Sequence, residues 1–128
     1  MSQENDYQDF KITIIRLLED GIPELRGKIQ AGAVDSNTAV PFAAFTVPNE
    51  EPVRTKDGIA GYNVSFEVSV YAGKFSEAEQ LRHKVIHALE GADLGLGQRS
   101  LYKGGNTDYF PDYDLHGAIL TFKILLMD

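Results

Sequence analysis

A segment of ten residues, Tyr62–Tyr71, constrains the fold more than any other part of this sequence. Apolar or aromatic side chains alternate in it with mostly polar ones, and the even positions are Tyr62, Val64, Phe66, Val68 and Val70. A period of two is typical of a β-strand that buries one face and leaves the other in solvent. At about 3.3 Å per residue the strand would be roughly 33 Å long, which is long for a small domain. The rest of the chain is therefore expected to build a sheet around it.

The pattern changes to a helical period directly after this strand. Five apolar side chains would lie on one side of a helix, namely Ala78, Leu81, Val85, Ala88 and Leu89. Ser76 and Glu79 have the spacing of a capping box at its start, and Gly91 suits a left-handed C-terminal stop. Because the corner between them is short, the strand and the helix are expected to pack their apolar sides together.

A second amphipathic helix is predicted over Tyr7–Asp20, after a frayed segment of residues 1–6. Asn5 or Asp6 could cap its start, since short polar side chains accept hydrogen bonds from the first free N–H groups of a helix. Gly21 is expected to end it.

Sheet-forming segments outnumber the helices. Five more strands are predicted, at Leu25–Val34, Phe42–Val47, Arg99–Lys103, Thr107–Tyr113 and His116–Met127. A turn at Gly104–Asn106 would separate the third of these from the fourth. The chain of 128 residues is expected to form a single domain, residues 1–128, of the α+β class. In it, one antiparallel-rich sheet would carry both helices on one face. The other face, with Ser65, Ser69 and Thr121, would meet solvent or a partner.

The segment Pro48–Gly61 lacks the features of a core element. It is expected to be either a long loop or the tip of a hairpin that projects from the domain. Its charged side chains are predicted to form a subunit or partner interface, and they are Glu50, Glu51, Arg54, Lys56 and Asp57.

Composition excludes several classes of function. The net charge of −7 argues against a general nucleic-acid binder, which needs Lys and Arg on phosphates. The absence of cysteine excludes disulfides, thiolate zinc sites and cysteine nucleophiles. The acidic, polar first residues are unlike a signal peptide, and no apolar run is long enough to span a bilayer, so a cytosolic protein is expected.

Two groups of residues resemble metal or catalytic motifs only in part. His83 and His87 are four residues apart on the predicted second helix, but Lys84 stands where a metalloprotease motif has its Glu. The turn containing Asp112 and Asp114 begins like a calcium loop, but its twelfth position is Lys123 and not the required Glu. No catalytic residue, metal ligand or cofactor is therefore predicted.

The ordered set of segments resembles the tail terminator, or tail completion, proteins of long-tailed phages and prophages. The resemblance runs over residues 10–126. It is carried by a first helix, a proline-led strand, a charged loop, the long alternating strand, a second helix and a closing strand after an acidic turn, at Phe10–Glu19, Val40–Phe45, Pro52–Gly58, Tyr62–Tyr71, Ser76–Leu89 and Tyr113–Leu126. Pro111 and the glycine-rich Gly91–Gly97 depart from the pattern of the family.

The resemblance implies a non-enzymatic structural protein. Members of this family form a ring, typically a hexamer, on the head-proximal end of the tail tube, where the ring ends tube polymerisation and presents the head-joining surface. The implied partners are other copies of the chain, the tail tube protein and the head–tail connector protein. DNA would pass through the lumen without specific binding, and no membrane would be involved. The implied location is the tail of the virion, after assembly in the cytoplasm of the host bacterium.

Two alternatives remain open from the sequence. One is another head–tail connector or neck protein of similar size, which the neighbouring structural genes would distinguish. The other is a small bacterial metal-binding or enzymatic domain that uses His83, His87, Asp112, Asp114 or His116, which metal analysis of purified protein would reveal.

Overall fold

The structure, a computed structural model, describes residues 3–31, 38–94 and 99–127. A first helix and a single 3₁₀ turn are followed by three strands, a second helix and two further strands: α1 (Gln3–Gly21), the turn Pro23–Leu25, β1 (Ile29–Ala31), β2 (Phe42–Thr55), β3 (Gly58–Ala72), α2 (Phe75–Leu89), β4 (Leu101–Phe110) and β5 (Leu115–Met127). Neither helix within these residues is long and apolar enough to cross a membrane.

The five strands form one sheet in the order β1-β2-β3-β5-β4. Only β1 and β2 run parallel, and every other neighbouring pair is antiparallel. The predicted α+β class with a single antiparallel-rich sheet is confirmed. The long strand is also confirmed and is longer than predicted, because β3 starts at Gly58.

The core lies on one face of the sheet, beneath both helices. The even positions of β3 and β5 are buried there, and Phe66 pairs with Phe122 in register so that their rings stack at 5.3 Å. The helices cover this face with Ile14 and Leu18 from α1, and with Ala78, Leu81, Val85 and Leu89 from α2. Burial of one continuous apolar face by both helices is the main stabilising contribution in such a layered domain.

The opposite face of the sheet is mixed. At one end Phe42 stacks on Tyr71 with ring centroids 4.9 Å apart, and Phe110 lies beside Tyr71 at 6.0 Å. Gly117 lies beneath these rings, and a Cβ there would come 2.8 Å from Phe110 and 3.0 Å from Tyr71. The remainder of this face is half-buried and largely polar, and it includes the predicted Ser65, Ser69 and Thr121.

Both predictions for the start of the helices are wrong. The first helix begins at Gln3, so residues 3–6 are helical and Asn5 and Asp6 lie inside it rather than before it. The second begins at Phe75, and its N-cap, Lys74, makes no side-chain capping hydrogen bond. The predicted capping box is absent because Ser76 lies inside the helix and not at its N-cap, and the carboxylate of Glu79 accepts a hydrogen bond from Thr107 Oγ1 on β4.

Both predictions for the C-terminal ends of the helices are confirmed. The first helix ends at Gly21 as expected. Gly91 adopts a φ of 71°, which confirms the left-handed stop after α2, and its N–H donates to the carbonyl of Ser100.

The predicted turn at Gly104–Asn106 is also wrong, because these residues lie inside the single strand β4. The pairing with β5 shifts register between Tyr102 and Gly104, and Gly104 has a φ of 137°. A β-bulge therefore occupies the place of the expected turn. The turn after β4 lies at residues 111–114, so the predicted acidic turn at Asp112 and Asp114 is confirmed, whereas the predicted strand Thr107–Tyr113 ends at Phe110. Of the weak segment Leu25–Val34, only Ile29–Ala31 is a strand, and residues 32–34 lie outside the described residues.

Candidate interaction surfaces

The β2–β3 hairpin extends beyond the rest of the sheet. Its two strands pair as far as Thr55 and Gly58, whereas β5 accompanies β3 only from Gly61 onward among the described residues. Residues 54–60, called the hairpin tip below, therefore have no third strand beside them in the described part of the chain. The segment Pro48–Gly61 was predicted to be either a long loop or a projecting hairpin, and the structure confirms the hairpin.

The turn at the hairpin tip is well defined locally. The hydroxyl of Thr55 accepts a hydrogen bond from the N–H of Asp57 at 3.2 Å and lies 3.4 Å from the carbonyl oxygen of Gly58. Gly58 has a φ of 118°, a conformation in which a side chain is strained. The two residues between the strands, Lys56 and Asp57, are thus held outward at the end of the hairpin.

The five charged residues predicted as an interface are all exposed, but they do not form one patch. Glu50 pairs with Val64 and Glu51 with Asn63, so these two carboxylates lie on opposite faces of the hairpin. The other three belong to the hairpin tip. None of the five forms an ion pair within the part of the chain that the structure describes.

A second exposed surface lies at the opposite end of the sheet. It consists of Phe75, Tyr109, Tyr113 and His116 and is called the aromatic end below. The ring of His116 lies between Tyr109, at 4.7 Å, and Phe75, at 6.2 Å. The Tyr109 hydroxyl donates a hydrogen bond of 2.8 Å to Asp114, and this bond raises the pKa of the tyrosine because the carboxylate favours the protonated phenol.

Sequence reasoning did not identify the aromatic end. Its residues come from the start of α2, the end of β4, the following turn and the start of β5, and only the strand register brings them together. The sequence feature that could have indicated this surface is the concentration of aromatic side chains around Pro111, next to the acidic residues considered as metal ligands.

The residues of the metal-site alternative do not converge. His83 and His87 are both exposed along α2, while His116 contributes to the aromatic end. Among residues 3–31, 38–94 and 99–127, no group of three or more His, Asp or Glu side chains has a metal-binding arrangement. The acidic turn is closed by backbone hydrogen bonds from the N–H of Tyr113 to Phe110 and from the N–H of Asp114 to Pro111, and the Asp114 carboxylate accepts the hydroxyl of Tyr109.

Polar contacts elsewhere join α2 to its neighbours. Lys84 donates to Glu24, in the 3₁₀ turn, at 2.7 Å, and this hydrogen bond lowers the pKa of Glu24. Arg82 donates to the hydroxyl of Tyr102, on β4, at 3.2 Å. These contacts position the helix, and they lie apart from both exposed surfaces.

Comparison with known proteins gives a match to one family model and matches to solved structures. A family model described as "Tail completion protein gp17" matches residues 18–126, from the last turn of α1 to the end of β5. A chain in the solved structure of the virion of a native gene transfer agent (GTA) particle shares the fold, with a TM-score of 0.61 and 20% sequence identity. That match covers 87% of this chain and 84% of the other. No curated protein sequence matches the chain.

Proposed function

The chain belongs to the tail completion protein gp17 family, and we propose that it forms a ring on the head-proximal end of a phage tail tube. Family membership identifies it as a structural protein of the tail. In the proposed role the ring ends polymerisation of the tube and presents the surface that the head–tail connector binds. The function is not catalytic and needs no cofactor.

The observation that carries this proposal is the extent of the family match. Residues 18–126 include all five strands and α2, so the match covers the whole sheet and not one local motif. The structural match agrees with a role in an assembled particle, because that chain comes from a virion and aligns over most of both chains.

In the proposed ring, the hairpin supplies a contact between neighbouring subunits. A ring is built from heterologous contacts, in which one patch of each subunit binds a different patch of the next. The side chains that we assign to subunit and partner contacts have no role in the core, and they are Glu50, Glu51, Arg54, Lys56 and Asp57.

The charge of the chain suits a channel for DNA. At a net charge of −7, the protein as a whole repels a polyanion. DNA would therefore pass through the lumen without specific binding. The expected locations are the virion tail and, before that, the cytoplasm of the host bacterium.

Native mass is the measurement that tests the ring. We would use light scattering at several protein concentrations, with and without the tail tube protein from the same phage, together with electron microscopy of the tube ends. A hexamer in solution, or a ring present only on tube ends, is the expected result. A protein that stays monomeric and leaves tubes uncapped and still growing would refute the proposal.

A further inference from the structure

We propose that the hairpin tip of one subunit docks on the aromatic end of the next copy of this chain. The inference rests on the ring proposed above and names the surface that receives the hairpin. Four observations support it. Both surfaces expose apolar side chains, and their charges are opposite. They lie too far apart to meet within one subunit, and they are different patches, as a ring contact requires.

Both surfaces expose apolar side chains that the core does not need. At the aromatic end, the exposed fractions are 57% for Phe75, 45% for Tyr109 and 62% for Tyr113. At the hairpin tip, Ile59 is 41% exposed. Exposed apolar side chains that cluster on a small protein commonly mark a contact with another molecule, and aromatic residues are enriched in such contacts. The aromatic end offers rings against which a branched aliphatic side chain can pack.

The two surfaces also differ in charge. At the aromatic end, the segment from Gly104 to Leu115 has no Lys or Arg but has three exposed carboxylates, Asp108, Asp112 and Asp114, and these outnumber the exposed Lys74 beside Phe75. The hairpin tip carries Arg54 and Lys56 against a single Asp57, and neither basic side chain has an ion-pair partner within the described residues. A basic tip and an acidic rim attract each other, and such complementarity fixes the orientation of a contact.

These two surfaces cannot meet within one subunit. β3 begins at the hairpin tip and ends beside the corner that leads to Phe75. At about 3.3 Å per residue, its 15 residues separate the two surfaces by roughly 50 Å. A contact between them must therefore join two molecules.

The contact is heterologous, because each subunit gives its tip and receives its neighbour's tip on a different patch. This type of contact closes into a ring when the rotation between subunits allows it. A second copy of the chain is thus an occupant of suitable charge, apolar content and symmetry.

Cysteine pairs test the contact directly, because the natural chain has no cysteine. One variant carries Ile59→Cys with Tyr113→Cys, and a second carries Ile59→Cys with Phe75→Cys. After mild oxidation of the assembled protein, on tube ends if needed, at least one variant should give a ladder of covalent multimers on non-reducing gels. The matched control carries Ile59→Cys with Ile12→Cys, an exposed position on α1, and should give no ladder.

A charge exchange provides the second test. Asp112→Lys alone, or Lys56→Asp alone, should weaken assembly about tenfold or more, as expected for loss of a close opposite-charge contact. The two substitutions together should restore assembly. Asp112→Lys combined with Arg26→Glu changes the charge equally but should not restore it.

The outcomes separate this inference from the proposed function. Rings or capped tubes that form normally, but without a ladder from either cysteine pair and without rescue by the charge exchange, would overturn the contact and leave the ring intact. A wild-type protein that neither forms rings nor caps tubes would overturn both. A ladder from a pair at the aromatic end, together with the rescue, would establish the contact.

Discussion

Gly105 is required by a close approach between two strands. A Cβ at this position would overlap the carbonyl oxygen of Ile119 on β5 and would also lie 3.1 Å from the hydroxyl of Tyr102. Because the first neighbour is backbone, the strands themselves would have to move apart. The glycine therefore allows β4 to come close enough to pair with β5 directly after the bulge at Gly104.

Replacement of Gly105 by alanine is predicted to lower the free energy of unfolding by about 2 kcal/mol, within the range found for overpacking. Urea denaturation followed by circular dichroism would measure it. Gly73→Ala is the matched control, because a Cβ there meets only Val40, at 3.9 Å, and it should change stability by less than about 0.5 kcal/mol. Equal effects of the two substitutions would contradict the explanation.

The start of α2 gives a second prediction for single residues. Glu79→Ala removes the hydrogen bond with Thr107 and the weaker contact with Arg82, and it should lower the free energy of unfolding by about 1 kcal/mol. Ser76→Ala should change it by less than about 0.5 kcal/mol, since Ser76 is exposed and is not the cap. If Ser76→Ala instead had the cost of a lost N-cap, about 1 kcal/mol, the capping box would exist after all.

At the scale of elements, the ion pair between Glu24 and Lys84 connects the 3₁₀ turn to α2. Glu24→Gln should lower the free energy of unfolding by about 0.5 kcal/mol at pH 7, because both side chains are partly exposed and solvent screens the pair. The folded-state pKa of Glu24 lies below 4.5, so its contribution is present above that pH and is lost as the pH falls through the lowered value. Urea titrations of both proteins across this range should converge at acidic pH.

Glu51→Gln is the control for that experiment. Glu51 is exposed on the hairpin and has no ion pair within the described residues, so its variant should match the wild type at every pH. A difference for Glu24→Gln that persisted below the lowered pKa would show that the pair is not its cause.

The elements that the sequence predicted well are those with one buried face. β3 and β5 alternate clearly because the helices cover one side only, and α2 has its apolar stripe for the same reason. The residues of β4 were predicted to form two strands, because Gly104-Gly105-Asn106 has the residue types of a turn. The real conformation of these residues depends on Ile119, which is distant in the sequence.

The interaction surfaces were predictable only in part. The sequence located the charged segment of the hairpin. It could not distinguish a loop from a strand there, because a strand with both faces in solvent has no alternation of apolar and polar side chains. The aromatic end depends on the register between β4 and β5, which pairs Tyr109 with His116. No local pattern encodes that register. Glu79 was misassigned for a similar reason, since its partner Thr107 lies 28 residues away.

At the scale of the whole molecule, the charges of the hairpin should govern assembly and not folding. Arg54→Glu combined with Lys56→Glu is predicted to shift the protein to the monomer, because the tip would then repel the carboxylates that it is proposed to meet. Its free energy of unfolding should stay within about 0.5 kcal/mol of the wild type, since both residues are exposed. Light scattering and urea denaturation would measure the two effects.

Arg16→Glu combined with Arg26→Glu makes the same change in net charge at exposed positions away from the hairpin. This control should assemble like the wild type. If the hairpin variant also assembled normally, the hairpin charges would have no part in the ring.

The two prolines of the hairpin have a consequence for the protein before it reaches a tail. Beyond Phe45, β2 has no outer neighbour among the described residues, and such an open edge can template unwanted strand addition. Pro48 and Pro52 remove two N–H donors from this strand, and proline is tolerated in sheets mainly at such edges. The hairpin can therefore stay extended while resisting fibre formation, and in the proposed function this would keep newly made subunits available until a finished tube appears.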